Sequence, residues 1–109
     1  MVLNLITFAS PLHKQASIRS SHKTVLTELE KYFTLKFIDC QDIDKISPDD
    51  FCLLFIATGG VERMVIQHFE SLPRPAVFLA DGMQNSLAAA LEISSWLRTR
   101  GMKSEILHG

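Results

Sequence analysis

Phe51-Cys52-Leu53-Leu54-Phe55-Ile56-Ala57-Thr58-Gly59-Gly60 is the stretch on which the fold turns. The apolar run 51–57 has no polar face, so it is expected to be a strand covered on both sides, as in a parallel sheet packed between two helix layers. The change to Thr58-Gly59-Gly60 ends it in a tight turn. Val61, Met64, Val65 and Phe69 then recur at helical spacing. Leu72-Pro73 and Pro75 stop that helix. A buried strand that runs through glycines into a helix is the first half of a βαβ unit.

The same grammar extends outward in both directions. Upstream, Val2 to Ala9 is another near-continuous apolar run, ending at Ser10-Pro11, and reads as a central strand. From His13 to Lys31 the spacing of Ile18, Val25, Leu26 and Leu29 predicts an amphipathic helix. Phe33 to Asp39 alternates, as a half-covered edge strand does. Asp42 to Asp50 is polar, and there Ser47 with Pro48 is expected to start a short helical turn. Downstream, Ala76 to Ala80 is a strand. Asn85 to Arg100 is a helix with Ala90, Ile93 and Leu97 on its apolar line, closed by Gly101. Ser104 to Leu107 is a last strand.

The order implies right-handed crossovers and one α/β domain over residues 1–109, a five-stranded parallel sheet between helices. Strand order 2-1-3-4-5, a flavodoxin-like three-layer sandwich, places the alternating second strand at an edge. The last strand is followed by no helix, so one flank of the sheet should lie open. The expectation drawn from this is an N-terminal piece of a longer protein.

Composition narrows the function classes. Eleven basic and twelve acidic residues, interspersed and giving a formal net charge of −1, leave no electrostatic footprint for nucleic acid or an anionic membrane. No run is long enough for a membrane span. Cys40 and Cys52 have no CxxC spacing and fit reduced thiols in a cytoplasmic protein. His13, His22, His68 and His108 are scattered without metal-ligand spacing, so no metal site is expected. No Gly-x-Gly-x-x-Gly or Walker loop is present.

In an open parallel sheet, ligands bind beyond the carboxyl ends of the strands, where the strand order reverses. That criterion selects Ser10, Pro11, Leu12 and His13 on one side, Thr58, Gly59, Gly60 and Glu62 on the other, and Asp81 to Ser86 next along. Each has a structural alternative. The glycines provide turn geometry, Glu62 complements a helix dipole and can cap with Thr58 or Gly59, Asp81 makes an Asp-Gly turn with Gly82, and Asn85 and Ser86 are N-caps. Ser10 or Ser86 as the nucleophile of a small hydrolase lacks a nucleophile-elbow sequence and an evident His-Asp partner. No catalytic residue is assigned.

Two segments taken together, Leu54-Phe55-Ile56-Ala57-Thr58-Gly59-Gly60-Val61-Glu62 and Pro75 to Ala80 with Asn85-Ser86-Leu87-Ala88-Ala89-Ala90-Leu91-Glu92, resemble the N-terminal domain of the L-fucose isomerase and L-arabinose isomerase superfamily, especially its fucose isomerase-like members. The likeness covers residues 50–109; the first half of the chain matches in its order of elements. The resemblance implies an aldose-ketose isomerase as parent, a divalent cation such as Mn²⁺ held in later domains, a homo-oligomer, and partner C-terminal domains. It makes Thr58, Gly59, Gly60, Glu62, Asn85 and Ser86 contributors to sugar binding or domain packing, with no catalytic group and no cofactor in this chain. The alternative is a stand-alone flavodoxin-like small-molecule-binding or regulatory module.

Overall fold

A computed structural model of the chain describes residues 1–10, 15–47 and 51–108. Its strands are β1 (Val2–Phe8), β2 (Thr34–Asp39), β3 (Cys52–Ile56), β4 (Ala76–Ala80) and β5 (Ser104–His108). They form one five-stranded sheet in the order β2-β1-β3-β4-β5, with every pairing parallel. The expected flavodoxin-like order is therefore the observed one. Helices α1 (Gln15–Ser21) and α2 (Lys23–Glu30) follow β1, α3 (Glu62–Gln67) follows β3, and α4 (Ser86–Thr99) follows β4.

Strand alternation divides the core into two layers. Leu3, Leu5, Leu53, Phe55 and Leu79 point to one face, where Ile18, Val25 and Leu26 of α1 and α2 cover them. Ile6, Phe8, Leu54, Ile56, Phe78 and Ala80 point to the other, under Val61, Val65, Ala89, Ala90, Ile93 and Leu97. β3 is buried on both faces because the apolar run 51–57 gives both sides something to pack. On the α1/α2 side the sheet is open over β5, where Leu107 is 46% exposed and Val77 half-buried.

Two local features go beyond the expected elements. The helix expected over 13–31 bends at His22, which separates α1 from α2, although His22 N–H still reaches the Ile18 carbonyl and Leu26 N–H the His22 carbonyl. A short helical segment not expected from the sequence follows β2 directly. It is a 3₁₀ segment over Cys40–Lys45, capped by Asp39 through a 2.9 Å bond from Gln41 N–H. The expected turn at Pro48 lies outside the described residues.

α4 ends as its sequence predicts. Gly101 has φ +78°, its N–H donates to Arg98 O, and Met102 N–H donates to Leu97 O. This is a Schellman motif with the buried pair Leu97 and Met102 at its base.

Candidate functional site

At the carboxyl edge, β1 turns toward β2 while β3 turns toward β4, so the strand order reverses between β1 and β3. Ser10, Thr58, Gly59, Gly60, Asp81, Asn85 and Ser86 all lie at this edge, at or just beyond strand ends. Pro11, Leu12 and His13 lie outside the described residues.

The β1 and β3 ends are tied by Thr58. Its buried hydroxyl accepts from Ser10 N–H at 2.8 Å and donates to its own neighbour, Gly59 O, at 2.8 Å. Glu62 opens α3 half-exposed, but the residue at the cap position is Val61, with no side-chain capping bond. The expected capping between Glu62 and Thr58 or Gly59 therefore does not form, since the Thr58 hydroxyl is turned toward Ser10.

The β3 and β4 loops are stitched to each other. Gly59 N–H donates to Gln84 O at 2.8 Å, and a Cβ on Gly59 would meet the Asn85 Cβ at 3.1 Å. Gly59 thus lets the two loops approach closely, since a Cβ there would push Asn85 back by a few tenths of an ångström, and Gly60, at φ +75°, suits the turn itself. Gln84 and Asn85 both adopt left-handed backbone, at φ 54° and 60°. That conformation removes Asn85 from capping duty: it occupies the cap position of α4 without a side-chain cap bond.

Ser86 is not a cap either. Its hydroxyl donates to Ile56 O and accepts from Asp81 N–H at 3.2 Å. The register Leu54↔Phe78 and Phe55↔Leu79, continued by two residues, would pair Ala57 with Asp81 and send Asp81 N–H to Ile56 O. The Ser86 hydroxyl sits in the place of that rung. It extends the ladder across a gap that opens as β3 and β4 diverge.

Asp81 is the hub of the edge. Its Oδ1 accepts Met83 N–H at 2.9 Å, the expected Asp-Gly turn, and its carbonyl accepts Leu87 N–H at 2.9 Å. Its Oδ2 lies 2.7 Å from Nδ1 of His22. The His22 ring has no exposed surface, meets the Phe55 ring edge-on, and places Nε2 2.5 Å from Ala57 O. A buried His-Asp pair therefore exists, contrary to the expectation that none was evident. It is not a nucleophile's base, because the ring edge that would face a serine faces a backbone carbonyl.

Among the described residues, no group of three or more His, Cys, Asp or Glu is placed to hold a metal ion. No helix among them is long and apolar enough to cross a membrane. Every buried side-chain nitrogen and oxygen among them has a partner. The groups that a ligand at this edge would meet are then the exposed ones: Gly60, Met83, Gln84 and Asn85, with half-buried Gly59 and Ser10 beside them. Compared with protein-family models, curated proteins and solved structures, the chain matches none.

Proposed function

We propose that this chain is the N-terminal α/β domain of a fucose isomerase-like protein and forms one wall of a sugar site whose reacting groups belong to other domains. The observation that supports this most is the contact between Gly59 and the Gln84-Asn85 pair. The two segments that carry the resemblance, from consecutive strands, meet at one sheet edge. Exposed amide and backbone groups beside Met83 suit a polyol, which needs several donors and acceptors and an apolar surface for its C–H face. In this reading the protein is cytoplasmic and oligomeric, and Mn²⁺ enters only with the remaining domains.

The test is a pair of measurements on the purified chain. Incubation with L-fucose and Mn²⁺ should give no ketose. Titration with L-fucose, followed by amide NMR, should move Gly59, Gly60 and Asn85 and leave Leu97 in place. Clear turnover, or shifts confined to another part of the molecule, would overturn the proposal. A stand-alone small-molecule-binding module is the second reading, favoured by the exposure of the same edge in this chain. Its mark would be ligand binding with no affinity for any isomerase C-terminal domain.

A further inference from the structure

We infer that His22 and Asp81 form a two-proton lock which positions the β3 and β4 loops of the carboxyl edge, and that loss of one proton releases them. The premise is a count of donors. A carbonyl oxygen can only accept, so Nε2 carries a proton in its bond to Ala57 O. The 2.7 Å contact between Nδ1 and Asp81 Oδ2 needs a second. Asp81 already accepts Met83 N–H through Oδ1, and a proton on Nδ1 makes the carboxylate an acceptor in both of its contacts, so the arrangement assigns both protons to the ring.

In this state the pair is neutral overall. That suits a ring with no exposed surface beside an aspartate side chain that is 10% exposed. With one proton fewer, two acceptors would face each other across one of the contacts, and a net negative charge would be left in a buried place.

The surroundings isolate the pair. Among the described residues, Asp81 is the titratable group bonded to the ring. On the covering helices the Arg19 guanidinium lies over Phe37, Lys23 is exposed, and Glu28 pairs with Lys31. β3 presents Phe55 and the Ala57 carbonyl.

The connection to the edge is short. Ala57 leads directly into Thr58-Gly59-Gly60. Asp81 holds Met83 N–H, and the next residue, Gln84, holds Gly59 N–H through its carbonyl and Ser21 Oγ through its side chain at 3.2 Å. Breaking either ring contact frees one end of this closed circuit. The use of the lock in ligand binding rests on the reading of this edge as the sugar wall; the lock itself does not, and it is measured on the free protein.

The experiment is long-range ¹H–¹⁵N NMR on the full chain with labelled histidine. The ring is assigned by through-bond correlations in the unmodified protein, so no variant has to fold. At neutral pH, both His22 ring nitrogens should bear protons, and both protons should exchange slowly. As the pH is raised until one is lost, the amides of Gly59, Met83 and Gln84 should shift with the same midpoint while Leu97 stays fixed. A bare ring nitrogen at neutral pH would overturn the proposal, and so would loss of a ring proton without movement of those amides. Failure of L-fucose to bind would sink the sugar reading and leave the lock standing.

Discussion

Replacing Ser86 with alanine tests how the carboxyl edge is held together. The Ser86 side chain is completely buried and serves two main-chain groups, Ile56 O and Asp81 N–H. Each group, left without a partner in the interior, costs about 1–3 kcal/mol. Relaxation of β3 and β4 into a direct rung would recover about 1 kcal/mol. Alanine at the start of α4 would return about 0.5 kcal/mol through helix propensity. The balance is a loss of about 0.5–4.5 kcal/mol, centred near 2.5 kcal/mol, a large share of the roughly 5–15 kcal/mol that holds a domain of this kind folded. Urea unfolding is the assay: with a slope of about 1–1.5 kcal/mol per molar, the midpoint should fall by about 2 M while the slope is unchanged. A loss below about 0.5 kcal/mol would refute the bridging role.

Gly101→Ala should destabilise by about 1 kcal/mol, because alanine must take up left-handed backbone at φ +78° to keep the Schellman bonds; thermal unfolding measures it, and an unchanged midpoint counts against the motif. Burial, and secondarily the charge of Asp39, raises the Cys40 thiol pKa above its ordinary value. Iodoacetamide should therefore modify half-buried Cys52 well before Cys40, and a mass-spectrometric time course showing Cys40 first would contradict the packing around it. The same shift fixes a sign. The folded thiol keeps its proton at a pH where the unfolded one has lost it, so this contribution is present below the ordinary thiol range and pH-independent there. Above that range the unfolded state gains by ionising, and stability falls with rising pH until the folded thiol titrates too. Replacing Cys40 with serine should flatten that alkaline slope in urea titrations, and an unaltered slope would remove the thiol as its source.

The fold was legible because its signals are local. The unbroken apolar run 51–57, the glycines after it and the alternation in 33–39 each specify how many faces a strand buries, and the order of elements then leaves few topologies. The site was legible as a place and less so as a set of bonds. Asn85 and Ser86 look like caps in sequence, and only the β3–β4 register shows that the serine hydroxyl stands in for a ladder rung. His22 is one of four histidines without metal-ligand spacing, yet it lies four residues after Ile18 and three and four before Val25 and Leu26, in the middle of the apolar stripe. A polar ring on such a stripe requires a buried partner, and that requirement is readable from spacing. Its identity is not, since Asp81 is 59 positions away and reaches it only through the tertiary fold.

The bend between α1 and α2 also constrains how the gene can change. One added or deleted residue between Gln15 and His22 would rotate the imidazole by about 100° around the helix axis and carry it out of reach of both acceptors. Turns at the surface absorb such length changes; this segment cannot. Among sequences that share this edge, the spacing of the histidine from the apolar positions at Ile18, Val25 and Leu26 should therefore be constant even where the residues themselves differ.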